Sequence, residues 1–237
     1  LFIFGIISCF PAAILELIIE PFFGNPETMD LITLFLYVFI SIALIEELCK
    51  WFMVYKIAYK HREFNHIYDA IVYCVFVSLG FAAFENILYV SSYGIITGLI
   101  RAVSAIPGHA CDAIIMGHYL GLSKIAKVNN NDTLAKKNLI LSIIIPAIVH
   151  AIYDYCLFTE QVIFLILFLI ILIGIYVYSV KKIKKISKIE RNFIENDTNY
   201  LVNYCPECGT KTSGKYCSNC GRYLLVEKIK NDNNLTQ

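Results

Sequence analysis

Charge is what this sequence has least of: Asp, Glu, Lys and Arg make up 16% of its 237 residues, while 58% are hydrophobic. A water-soluble domain of this length does not need so much apolar surface, and the balance points instead to a polytopic membrane protein. The mean hydropathy of +0.63 agrees. Basic residues are also missing from particular places. The segments 20–30, 91–94 and 158–161 contain no Lys or Arg, whereas 58–66, 123–137 and the stretch from Lys181 to Arg191 are basic. Three hydrolase signatures are absent: the H-E-x-x-H of zinc proteases, the G-x-S-x-G of serine hydrolases and the aspartyl G-x-G-D. No inverted repeat or Gly/Pro-broken pair of spans is evident, which counts against a transporter.

Apolar runs long enough to cross a bilayer, which takes about 20 helical residues, recur six times. They lie near 1–19, 31–57, 67–92, 95–122, 138–158 and 161–180. Basic loops alternate with loops free of Lys and Arg, so the positive-inside rule places the N-terminus and the C-terminal segment in the cytoplasm of a multi-pass cell-membrane protein. The expected fold class is all-α. A transmembrane domain covers 1–180, followed by a basic linker over 181–203, a small zinc ribbon over 204–224 and a polar tail over 225–237.

The nine cysteines divide into two groups. Cys9, Cys49, Cys74, Cys111 and Cys156 stand singly in apolar spans and read as small hydrophobes. Cys205, Cys208, Cys217 and Cys220 form two C-x2-C knuckles, each followed by glycine, which turn four thiolates toward one tetrahedral ion. A reducing cytoplasmic side favours structural zinc over disulfides here. With all four ligands supplied by protein, no open position is left for catalysis. Lys211, Lys215 and Arg222 are too few to suggest nucleic acid, so a protein-contact or regulatory module is expected.

The few charges inside the spans are concentrated. Glu46, Glu47 and Lys50 fall within one turn of the second span, and Glu85 and Asn86 sit in the third. The fourth holds Arg101, His109, Asp112 and His118, and the fifth His150 and Asp154, four apart on one face. At ~1.5 Å per residue, Glu46, Glu47, Glu85, His109, His150 and Asp154 lie within roughly 10 Å of the bilayer midplane. An ionisable group at that depth is a functional-site hypothesis by default. Glu46 with Lys50 also reads as a buried structural ion pair. That alternative does not explain why four helices carry polar groups at similar depth. The first and sixth spans offer nothing comparable and are expected to be packing partners.

Two adjacent carboxylates in a low dielectric do not both ionise easily, and Lys50 can hold one of them charged. The arrangement leaves a carboxylate able to take a proton from water, with histidines to donate to an oxyanion or a leaving amine. The same Glu and His groups also suit a metal ion. Hydrolysis of an amide inside the membrane follows from either reading.

At this point the motifs resemble a known family. "EELCK" fits E-E-x-x-K, "FAAFEN" fits F-x-x-x-E-N, "RAVSAIPGHACDAIIMGHYLG" fits R-(A/T)-x4-P-x-H-A-x6-G-x3-G, and "HAIYD" fits H-x-x-x-D. Their order and spacing over about 31–158 are similar to the PrsW family of glutamic-type intramembrane proteases, distant relatives of CAAX prenyl endopeptidases and bacteriocin-processing membrane proteins. The resemblance implies that Glu46 activates water while Glu47 and Lys50 tune it, with Asn86 and Arg101 in support. Glu85 and Asp154 stand where the CAAX-type relatives carry histidine and often asparagine. A carboxylate donates to an oxyanion only when protonated, so that role falls to His150, with His109 second. The resemblance further implies a membrane-anchored protein substrate, such as an anti-sigma factor; a catalytic metal is left open, with none expected. Open alternatives are a metal-dependent protease using the same residues as ligands, a transporter, and a sensor or scaffold read out through the ribbon.

Overall fold

A computed structural model describes residues 1–61, 64, 66–159 and 161–196, with side chains of the last helix to 188, and the isolated positions 210 and 219. The expected ribbon, with Cys205, Cys208, Cys217 and Cys220, lies outside the described residues. Among the described residues the chain is helical throughout: α1 (Phe2–Ile19), α2 (Leu31–Val38), α3 (Leu44–Ile57), α4 (Ile67–Tyr93), α5 (Ile95–Val103), α6 (Ala105–Val128), α7 (Asp132–Phe158) and α8 (Val162–Asn196). Six helical segments are long and apolar enough to cross a membrane: Phe2–Phe22, Leu31–Ile57, Ile67–Tyr93, Ile95–Val128, Asp132–Phe158 and Val162–Lys188. The protein is a multi-pass membrane protein.

Local chemistry sets the helix limits. Asp30 caps α2 by accepting from the amides of Ile32 and Thr33, at 3.0 and 3.2 Å, and from the Thr33 hydroxyl at 2.5 Å. The Thr33 hydroxyl, followed by those amides, holds the Asp30 carboxyl below its usual range. Asn131 caps α7 by accepting from Leu134 N at 3.0 Å. That cap starts the fifth span at Asp132, earlier than the apolar run beginning near 138 suggests, because the cap and the polar first turn are read by backbone donors rather than by lipid. Gly94, at φ +87°, turns the chain sharply from α4 into α5.

Two spans are not uniform rods. Between α2 and α3 the helix widens into a π turn over Phe39–Ala43, directly before Glu46. Such a turn rotates everything after it relative to what precedes it. The fourth span is interrupted at Ser104 (φ −117°, ψ −66°), which divides it into α5 and α6.

Glycines let the central helices touch. α4 packs most extensively on α6, and also on α1. A Cβ at Gly5 would fall on the Val77 carbonyl oxygen, and one at Gly80 on that of Phe2. At Gly117 a Cβ would meet Ile71 Cα, Ile71 N and Ala70 O at 2.5, 2.7 and 2.8 Å, all backbone atoms that cannot swing aside. Gly117→Val is therefore expected to separate α4 from α6 and lower stability by about 1–3 kcal/mol, read as an earlier thermal unfolding transition in detergent. Around this centre the outer faces of α1, α5 and α8 stay apolar and exposed, as lipid-facing surfaces must.

Candidate active site

Beyond the π turn, α3 carries Glu46, Glu47 and Lys50 into the middle of the bundle, where all three are buried. Lys50 Nζ is the hub. It lies 2.6 Å from Glu47 Oε1 and 3.3 Å from Glu46 Oε2, donates to His109 Nδ1 at 3.1 Å, and sits 4.4 Å over the Phe81 ring. An ammonium group only donates. His109 Nδ1 must therefore accept, which leaves Nε2–H to donate to Glu85 Oε2 at 3.0 Å. The other Glu85 oxygen takes Arg101 at 2.8 Å, and Arg101 stacks 3.6 Å over Tyr89. Glu85 thus ties α4 to both α5 and α6.

From α7, His150 presents Nδ1 to Glu47 Oε1 at 3.0 Å and Nε2 to Asp154 Oδ2 at 3.2 Å, with Glu46 Oε2 3.9 Å from the same nitrogen. Carboxylate oxygens on both sides make His150 a donor in two directions. The rings of His109 and His150 meet edge-on with centroids 5.0 Å apart. The spacing of four between His150 and Asp154 and between Glu46 and Lys50 operates as helical geometry dictates.

A cavity of about 280 Å³ opens onto this cluster. Glu46, Glu85, Arg101, His109, His150 and Asp154 line it, whereas Glu47 and Lys50 do not. The two glutamates are thereby distinguished: Glu47 is 0% exposed and locked by Lys50 and His150, while Glu46, at 5%, turns its carboxylate to the cavity. The cavity also reaches Glu20, Tyr37 and Phe158. These lie at the end of the bundle where the loops carry no Lys or Arg.

The sequence-predicted set Glu46, Glu47, Glu85, His109, His150 and Asp154 is therefore brought together, with Lys50 at its centre and Arg101 on Glu85. Asn86 is not part of it. Its Nδ2 donates to Gly98 O at 3.2 Å and holds α5 against α4. His118 lies outside the cavity lining, and Asp69 helps to cap α4 through His66 N at 3.0 Å. The five span cysteines are unpaired, in keeping with a packing role.

Three residues escaped the expected set. Asp112 lines the cavity at 5% exposure, and its spacing of three from His109 already placed it on the same face. α1, expected only to pack, adds Glu16 and Glu20 to the wall. Glu16 follows Ala12 by one turn, and those small and acidic positions were the available signal.

Glu47, His109, Asp112 and His150 also present ligand atoms within 4.8 Å of one another. Glu47 Oε2 is buried without a hydrogen-bond partner, and Asp112 makes no hydrogen bond or ion pair among the described residues. Two imidazoles and two carboxylates with unused oxygen lone pairs fit a divalent ion such as zinc. Lys50 already holds Glu47 and His109, so ammonium and ion compete for the same donors.

An acid-rich cavity with buried imidazoles, enclosed by apolar helices, offers room for water beside proton carriers at membrane depth. That places the chain among membrane-embedded hydrolases. It belongs to the PrsW family: the family model described as "PrsW family intramembrane metalloprotease" matches residues 1–179. Protease PrsW of Halalkalibacterium halodurans is 36% identical over 192 residues, covering 80% of this chain and 83% of that protein. Protease PrsW of Oceanobacillus iheyensis is 36% identical over 184 residues, 77% and 80% of the two chains. Protease PrsW of Bacillus subtilis is 35% identical over 156 residues, 66% and 67% of the two chains. No solved structure matches the chain. The protein is a peptidase.

Proposed function

We propose that this peptidase hydrolyses a peptide bond of a membrane-anchored protein with water activated by Glu46. The observation that carries the reading is the asymmetry of the adjacent pair: Glu46 lines the cavity and Glu47 does not. The Glu46 carboxylate takes a proton from water as the oxygen bonds to the scissile carbonyl carbon. His150 Nε2–H, turning from Asp154, donates to the developing oxyanion, with His109 Nε2–H, turning from Glu85, as the second donor. Glu46 then passes the proton to the leaving nitrogen as the C–N bond breaks. Glu47 and Lys50 hold His150 and His109 in place from behind the cavity wall.

The basic loops favour cytoplasmic termini, so the cavity faces the outer side and cleavage falls near the outer end of the substrate's span. An anti-sigma factor is the substrate the family resemblance implies. On the cytoplasmic side Cys205, Cys208, Cys217 and Cys220 bind one structural zinc.

A metal-dependent reading is favoured by one separate observation, the convergence of Glu47, His109, Asp112 and His150 within 4.8 Å. Those four residues would hold the ion, which supplies Lewis-acid polarisation of a carbonyl when bound. Chelation separates the two readings, provided the ribbon cysteines are first replaced by serine so that their zinc does not enter the test. Unchanged cleavage after chelation is the expected result, and lost cleavage restored by added zinc favours the metal. The primary test is cleavage of a purified single-span substrate by wild type, Glu46→Gln and His150→Ala. Both variants are expected to lose activity with helix content intact, and full cleavage by both would sink the assignment.

A further inference from the structure

We propose that Glu16 is a specificity-determining residue: its carboxylate receives a basic side chain, Lys or Arg, from the outer flank of the substrate's membrane span. The proposal rests on the reading of the cavity as the peptide-binding site and adds a substrate class to it. Glu16 stands on α1, one turn inward from the exposed Glu20, and both line the same cavity as Glu46.

The charges of the wall do not balance. Glu16, Glu20, Glu46, Glu85, Asp112 and Asp154 line the cavity, against Arg101 as the single Lys or Arg in the lining among the described residues and His150, which is held between Asp154 and Glu47. Arg101 is already taken by Glu85 at 2.8 Å, and Lys50, behind the wall, by Glu47 and Glu46. The Glu16 carboxylate makes no hydrogen bond or ion pair among the described residues. A second, independent observation points to a cationic guest. The carboxylate of Asp112, also on the lining and 5% exposed, has no hydrogen-bond or ion-pair partner among the described residues either. Carboxylates left unpaired at such depth cost free energy that a cation entering the cavity relieves.

The cavity also suits the shape of a basic side chain. Tyr37 and Leu88 line the cavity with Glu16, so that apolar surface for a methylene stem and a carboxylate for the charged head share one cavity. The same acidic wall repels an acidic flank, so attraction and repulsion select in one direction. Outer flanks of membrane spans are comparatively poor in Lys and Arg, so a basic residue there is an informative mark.

The test uses the full chain carrying Glu46→Gln, reconstituted in nanodiscs, so that binding is read without turnover. The probes are three fluorescent single-span peptides that differ at one outer-flank position: Lys, Gln or Glu. The Lys peptide is expected to bind about tenfold more tightly than the Glu peptide, with a ratio that falls as salt rises. Adding the near-isosteric Glu16→Gln is expected to bring the ratio close to one, and Glu16→Lys to invert it. A ratio that Glu16→Gln leaves unmoved, or no binding of any peptide, overturns the proposal. Failure of the glutamate mechanism shows elsewhere, as wild-type cleavage by the Glu46→Gln protein while the binding ratio keeps its dependence on Glu16.

Discussion

Glu46→Gln is expected to reduce cleavage by about 10²–10⁴-fold, the range over which a positioned general base contributes, while thermal unfolding stays near that of the wild type. Glutamine keeps the shape and the hydrogen-bonding oxygen but cannot take the proton from water. The structural loss is small because Glu46 is the weaker partner of Lys50, at 3.3 Å against 2.6 Å for Glu47. Glu47→Gln should behave differently. It removes the charge that both Lys50 and His150 Nδ1 face in a site with no solvent access, so stability falls together with activity. The pair of variants is measured by cleavage of a single-span substrate alongside thermal unfolding of each purified protein. Loss of activity at constant stability for Glu46, and loss of both for Glu47, is the pattern expected. If Glu47→Gln alone gave the clean catalytic loss, the roles of the two glutamates would be reversed.

Much of this site could be read from spacing, because helical periodicity turns intervals of three and four into shared faces. Glu46 with Lys50 and His150 with Asp154 are such intervals, and depth counting brought Glu85 and His109 to the same level. What spacing cannot supply is rotation between helices. The π turn at Phe39–Ala43 changes the phase of α3, and no apolar pattern marks it. The orientation that sends Glu46 to the cavity and Glu47 behind it was therefore not legible. The break at Ser104 was hidden for the same reason, since α5 and α6 are both apolar enough to read as one span. Glu16 was missed because a single carboxylate near the end of an apolar run reads as the approach to an interface. It becomes a wall residue only once α1 packs on α4 through Gly5 and Gly80. Asn86 entered as a supporting residue through the E-N pair of the family resemblance, although adjacent helix positions point about 100° apart and it turns to α5 instead.

Lys50→Met is expected to be the most destabilising single change in the cluster, by about 3–5 kcal/mol, because it removes one partner of a buried charge network and leaves the other uncompensated. Methionine reproduces the length and apolar character of the lysine stem, so packing against Phe81 is largely kept and the effect reports the charge. Lys50 is 1% exposed and faces Glu46, Glu47 and His109 at once, and no other Lys or Arg in the described residues is close enough to replace it. A double variant provides the internal check. In Lys50→Met/Glu47→Gln both members of the closest pair are neutral, so stability should recover by a large fraction of the single-variant loss. Cleavage should not recover with it, since His109 Nδ1 has lost its donor and His150 Nδ1 its charged partner. Unfolding transitions of the four proteins in one detergent give the coupling energy directly. Strict additivity would mean that Lys50 and Glu47 do not act as a pair. Recovered stability without recovered activity would instead establish that the pair is tolerated in the membrane because the chemistry in front of it needs the two histidines held still.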